Sequence, residues 1–224
     1  MTAPLLVVEL IATTALAVPA ARTARGYLAT HDHTPTRAAS TLAQVLLTAA
    51  AASTTLALAA AIGHALHAAT ILPAIAPTIA ATTVDAHAHR LPNTLIAAIA
   101  ALAGTGTITA AIATHSPALL VSALAGALAV GLIGLVMILT GASLGMGDVK
   151  LATALALSLG AWGWYLPVVA VVGALALSVP EAIAGLLKGR RHAHLALGPY
   201  LTFAALIVTA LAYAACSSMS PAPW

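Results

Sequence analysis

Apolar runs of roughly 20 residues, separated by short polar gaps, recur along this chain, and each is about long enough to cross a ~30 Å hydrocarbon core as a helix. They cover residues 3–21, 39–62, 68–84, 94–113 and 118–140, then the long stretch 151–187, then 197–216. The 37 residues of 151–187 are too many for one crossing and suffice for two short ones. Trp162, Gly163, Trp164, Tyr165 and Pro167 sit in the middle of that stretch, where interfacial aromatics and a turn belong. The pattern predicts an all-α, polytopic integral membrane bundle of about eight transmembrane helices, a single domain over residues 1–224. Barrel strands would alternate apolar and polar positions with a period of two, and these runs do not. Pro73 and Pro77 predict kinks in the third span.

Charge gives the bundle a direction. The first run carries Glu9, has no basic segment ahead of it and is followed by Arg22 and Arg25, so it reads as a first span with its N-terminus outside rather than as a signal peptide. Eight crossings from that start put residues 22–38, 85–93, 141–150 and 188–196 on the cytoplasmic side. Those gaps hold Arg22, Arg25, Arg37, Arg90, Lys150, Lys188, Arg190 and Arg191, which is every basic residue in the chain. The agreement with the positive-inside rule supports the span count too, because a miscounted span would scatter these charges to both faces.

Composition narrows the alternatives. With 62% hydrophobic and 6% charged residues and a mean hydropathy of +1.06, the chain lacks the polar surface a soluble fold needs. Its formal charge of +3 is spread over the four gaps, which fits orientation in a lipid bilayer and gives no reason to expect a nucleic-acid partner. A single cysteine, Cys216, excludes an internal disulfide and a Cys-rich zinc site.

Against this apolar background stands Gly141-Ala-Ser-Leu-Gly145-Met-Gly147-Asp148-Val-Lys150-Leu151, since a carboxylate near a membrane core is costly. A second aspartate opens the segment Asp85-Ala-His-Ala-His-Arg90-Leu-Pro92-Asn93. The two aspartates are 63 residues apart, and the chain between them is one helical hairpin, spans four and five, which leaves the inner face and returns to it. Both carboxylates are therefore expected at the same depth, whichever way the bundle points. Two close carboxylates resist joint ionisation and share a proton. The ionised one then activates water while the protonated one polarises a peptide carbonyl. Ser143 has no base nearby in sequence, and Cys216 falls near the opposite face. Gly145 and Gly147 allow a substrate strand to approach the backbone; the plainer reading of Gly-x-Gly-Asp is a Gly-rich helix end.

The run Gly145-Met-Gly147-Asp148-Val-Lys150-Leu151, followed by Ala152 and later Leu159-Gly160, resembles the Gly-x-Gly-Asp-x-Lys-Leu signature of type IV prepilin peptidases, relatives of the archaeal preflagellin peptidases. Asp85 with Arg90-Leu91-Pro92-Asn93 is similar to that family's other catalytic segment, an aspartate some six residues ahead of Ile/Leu-Pro-Asn. Leu197-Gly198-Pro199-Tyr200-Leu201 resembles its late Pro-Phe-Gly-Pro element, with Ala196 replacing the first proline. The three matches fall in order over residues 83–201, and Lys150 separates the motif from the presenilin type. The resemblance implies an aspartic endopeptidase of the plasma membrane that removes the basic leader of a prepilin or pseudopilin at the cytoplasmic face, cutting after a glycine without metal or organic cofactor. It implies Asp85 and Asp148 as the catalytic pair, Gly145 and Gly147 as site-shaping residues, and Lys150, Pro92 and Asn93 as further motif residues. Many long members of the family also carry paired Cys-x-x-Cys motifs in the first cytoplasmic loop and N-methylate the new terminus. Residues 22–38 hold no cysteine and a single acid, Asp32, so methylation is not expected here.

Two other readings are open to the same residues. A small proton-coupled transporter would relay protons through Asp85, Asp148, Glu9 and Glu181, but carriers set such acids near the midplane and often show matching halves. A non-catalytic assembly subunit would tolerate Asp→Asn changes. The histidine pairs His31/His33, His64/His67, His87/His89 and His192/His194 lack third and fourth metal ligands and read as solvated or interfacial residues. Glu181 is a candidate contact for a basic leader or a structural polar contact. Ala127, Gly131 and Gly134 share one helix face and predict close packing.

Overall fold

The computed structural model describes residues 3–30, 40–61, 65–141, 144–188 and 196–218, and the regular structure among them is entirely helical. Its helices are α1 (Ala3–Thr30), α2 (Thr41–Ala61), α3 (Ala65–Ala88), α4 (Asn93–Thr114), α5 (Ala118–Leu139), α6 (Met146–Gly160), α7 (Leu166–Leu187) and α8 (Leu197–Ser218). Four segments, Ala68–Ala88, Asn93–Thr114, Ala118–Leu139 and Leu166–Leu187, combine the length and hydropathy needed to cross a bilayer. Shorter apolar segments, Thr41–Ala57 and Leu197–Ala212, lie in α2 and α8. Leu124, Leu128, Leu132 and Leu139 on α5 and Val172, Ile183 and Leu187 on α7 are all exposed, an outer surface suited to lipid rather than water. The chain is an all-helical membrane protein.

α3 is the inner element. It packs against α1, α2, α4 and α8, and 72% of its apolar window is buried, against 28% for α5 and 22% for α7, which form the rim. Pro73 and Pro77 lie inside α3, which is helical through both.

Two boundaries differ from the sequence expectation. The first inside gap was expected from residue 22, yet α1 continues through Arg22 and Arg25 to Thr30. Ala17, Ala21, Ala24 and Leu28 are buried at helical spacing, so the packed stripe outlasts the apolar run. Arg25 Nη1 also donates to Thr41 Oγ1 at 3.3 Å, holding this end of α1 beside α2. The second difference is α6, which begins at Met146, so part of the expected gap 141–150 is the first turn of a helix. Residues 31–39, with His31, Asp32, His33 and Arg37, lie outside the described residues, as do Gly63, His64, Ser143, Arg190, Arg191, His192 and His194. The side chains of Glu9, His67 and Cys216 are likewise outside them.

Small residues bring α6 close to its neighbours. A Cβ on Gly134 would come within 2.6 Å of Val149 Cγ1, one on Gly160 within 2.9 Å of Ala123 Cα, and one on Gly131 within 3.4 Å of Thr153 Oγ1. Gly131 and Gly134, with buried Ala127, thus form the face on which α5 meets α6. Ser122 Oγ donates to Gly160 O at 2.6 Å, and Thr107 Oγ1 donates to Leu157 O at 3.2 Å, so hydroxyls from α5 and α4 tie α6 in place. The turn at 161–165 coincides with the expected aromatic cluster. Trp164 and Tyr165 face outward there, whereas Trp162 turns inward and its Nε1 donates to Thr70 Oγ1 at 3.3 Å.

Candidate active site

Asp85 stands on the last turn of α3. That helix ends because His89 adopts a left-handed conformation (φ 49), with its N–H bonded to Asp85 O at 2.9 Å, and because Pro92, buried and extended, opens α4 at its N-cap. The spacing from Asp85 to Leu91-Pro92-Asn93 is therefore a helix end, a sharp reversal and a helix start. The Asp85 carboxylate is 4% exposed, which demands a partner. It has one in Gly198, whose backbone N–H donates to Oδ2 at 2.9 Å. A Cβ on Gly198 would lie 2.7 Å from that oxygen, so only glycine permits this approach of α8.

Asp148 belongs to the opposite kind of terminus. Gly145 occupies the N-cap of α6 in extended conformation, and Asp148 is three residues on. A backbone hydrogen bond from Gly145 reaches the Asp148 carboxylate, the backward half of a capping box. A Cβ on Gly145 would sit 2.9 Å from Asp148 Oδ2, so a side chain there would require the carboxylate to shift. Gly147 faces the α3–α4 connection, where a Cβ would come 3.2 Å from Leu91 Cβ. Through that contact the two motif segments pack on each other.

Asp85 and Asp148 consequently line one open, polar cleft of about 310 Å³, together with Tyr27, His89, Arg90 and Lys150. The hairpin of α4 and α5 lies between the two aspartates in the chain. Asp148 lies on the polar first turn of α6, ahead of the apolar stretch that starts at Leu151. Burial, then the nearby Asp85 charge, push its pKa up to about 6 against the lowering effect of the Gly145 hydrogen bond. One carboxyl that holds its proton to mildly acidic pH beside another is the arrangement a shared-proton pair requires. Lys150 Nζ donates to Asn93 Oδ1 at 3.1 Å, joining α6 to the start of α4 beside the pair. Pro92 acts through the backbone at that same start.

A second, apolar cavity of about 210 Å³ opens next to Asp148 between α5, α6, α7 and α8, with Met137, Leu144, Val149, Val171, Leu175 and Leu201 on its walls. Asp148 thus borders both the polar cleft and the apolar cavity.

Of the other candidates, His89 lines the cleft, while His87 Nδ1 is 2.7 Å from Thr83 O within α3. Among the described residues no three His, Cys, Asp or Glu side chains gather as a metal site. Glu181 accepts a hydrogen bond from Tyr200, two residues beyond Gly198, and so ties α7 to the start of α8. Tyr27 is a cleft residue that sequence reasoning did not select, and Gly198 entered it only as part of the 197–201 match, with no role. The signal for Gly198 was the Gly-Pro pair opening an apolar run; for Tyr27 it was the helical spacing that carries α1 past Arg22. Comparison with models of known families, with curated proteins and with solved structures gave no match.

Proposed function

We propose that this chain is a membrane-embedded aspartic endopeptidase that cleaves the basic leader from a prepilin-like protein at the cytoplasmic face of the plasma membrane. The observation that carries the reading is the meeting of Asp85 and Asp148 in one cleft, each held by a backbone N–H that a glycine makes accessible. The pair shares a proton. The ionised carboxylate takes a proton from a water as that water attacks the scissile carbonyl, and the protonated one donates to the carbonyl oxygen; as the tetrahedral intermediate collapses, the first carboxyl passes the water's proton to the leaving amine and the second recovers its proton from the hydroxyl. The polar cleft receives the leader side of the cut, and the apolar cavity beside Asp148 receives the first apolar residues that follow it.

In this reading the eight helices are eight crossings with the N-terminus outside, and Arg90, Lys150 and Lys188 face the cytoplasm. Labelling of single cysteines at positions 90 and 115 from either side of the membrane tests the topology: position 90 is to react from inside and 115 from outside. Asp85 and Asp148 occur at helix ends facing a shared cleft, which favours proteolysis over a midplane proton relay. Co-expression with a candidate prepilin tests the chemistry. Leader removal is expected with the wild type, and full processing by either Asp→Asn variant would overturn the proposal.

A further inference from the structure

On the far side of α6 from the apolar cavity runs an open groove of about 390 Å³, which the proteolytic reading does not use. Its floor is α6, with Thr153 and Leu157; its walls are α4, with Ile96, Ala97 and Ala100, and α5, with Ala127. It exists because α4 and α5 each pack on α6 more than on one another, and because the alanines leave the space between them unfilled. From Lys150 to Leu157, and alongside from Asn93 to Ala100, it extends about 10 Å at the helical rise.

The two ends differ in chemistry. Lys150 is the sole charged residue among those lining the groove, and it stands with Asn93 at one end; the rest is apolar apart from Thr153, whose hydroxyl bonds back to Val149 O at 2.7 Å. Lys150 has three N–H donors and uses one on Asn93 Oδ1, which fixes the ammonium at the mouth and leaves two donors for another acceptor. α4 and α5, whose faces flank the groove, are apolar enough to cross a bilayer, so what lies against it is lipid. A cation at the head of an apolar channel is complementary to a phospholipid phosphate with its chain below.

We propose that this groove binds one anionic phospholipid, with its phosphate on Lys150 and an acyl chain along Ala97, Ala100 and Leu157. The inference rests on the bilayer setting and stands apart from the proteolytic reading. Its place beside the cleft makes Lys150 and Asn93 a shared wall between the bound lipid and the aspartate pair.

The full chain, purified in detergent and offered equal amounts of phosphatidylglycerol and phosphatidylethanolamine, is examined by native mass spectrometry. The wild type is expected to retain phosphatidylglycerol in about fivefold preference, the size of one lysine–anionic-lipid attraction. Lys150→Gln is expected to lose the preference, while Ala97→Phe, at an exposed position, fills the groove and lowers retention of both lipids. If Lys150→Gln does not yield folded protein, Lys150→Arg keeps the cation and is expected to keep the preference, and Ala97→Phe decides on occupancy. Equal retention of the two lipids by the wild type, an unchanged preference in Lys150→Gln, or unchanged retention in Ala97→Phe would each overturn the assignment. Displacement of the lipid by an apolar helical peptide would do so too, by giving the groove to a substrate.

Discussion

Gly147 of α6 and Leu91 of the α3–α4 connection stand so close that a Cβ on the glycine would come within 3.2 Å of the leucine Cβ. This contact locks the segment bearing Asp148 onto the segment that follows Asp85. Gly147→Val adds three carbons where the first already crowds the leucine, and overpacking of this kind costs about 1–3 kcal/mol. Leader cleavage is expected to fall at least about tenfold, with a lowered thermal midpoint. Gly104→Ala, at a site with nothing within 4 Å of the added carbon, is the control and is expected to process normally.

Gly198→Ala sets its methyl 2.7 Å from Asp85 Oδ2 and pushes the α8 backbone away from the carboxylate. Loss of a hydrogen bond to a charged group is worth about 1.5–3 kcal/mol, or roughly 10- to 100-fold in rate if it is needed in the transition state. A time course of leader removal checks this, and wild-type rates for the alanine variant would show that the amide is dispensable.

Asp85→Asn and Asp148→Asn each remove a proton-transfer group while keeping the side chain's size. Either is expected to lower cleavage by about 10²- to 10⁴-fold. The double variant is expected to be no slower than the slower single one, because the pair works as a unit.

The raised pKa of Asp148 gives a pH dependence with a definite sign. Its carboxyl binds a proton more tightly in the folded chain, at about 6, than at the ordinary value of 3.8, so between these values the folded state holds more protons than the unfolded one. Stability therefore falls as pH rises through that window. The thermal midpoint of the wild type is expected to drop between about pH 4 and 6, and Asp148→Asn is expected to flatten the drop and melt higher than wild type at neutral pH. Cleavage is expected to decline above pH 6 as the shared proton is lost. A wild-type midpoint that climbs over the same range would contradict the assignment.

Glu181→Gln keeps an acceptor for the Tyr200 hydroxyl and removes only the charge. Because Glu181 is exposed, processing is expected to stay within about threefold of wild type. A loss beyond tenfold, restored by Glu181→Asp, would assign the charge to the leader.

Much of this was legible in the sequence, for reasons particular residues make plain. The apolar runs located α3, α4, α5, α7 and α8 because membrane helices bury or lipidate nearly every side, and hydropathy alone then marks their limits. The same signal failed at α1, where Arg22 and Arg25 look like loop while Ala21, Ala24 and Leu28 go on packing. It failed again at Met146, since residues 141–150 read as a gap with a Gly-rich helix end, whereas Gly145 is the N-cap of α6 and the Asp148 carboxylate reaches back to it. Asp85 and Asp148 were paired by counting a hairpin. The 197–201 segment stood out as a motif match, but the contact of its Gly198 amide with Asp85 could not be found that way, because a backbone N–H has no signature in a side-chain pattern.

That amide belongs to residue 198, and this sets an order of events in the making of the protein. Asp85 and Asp148 leave the ribosome long before α8 does, and a chain halted between them and Leu197 carries both acids with the first still lacking its donor. The hydrogen bond that holds Asp85 forms only on arrival of the last helix. In the proteolytic reading proposed above, cleavage therefore awaits the last helix, and a chain truncated before Leu197 is expected to be inactive.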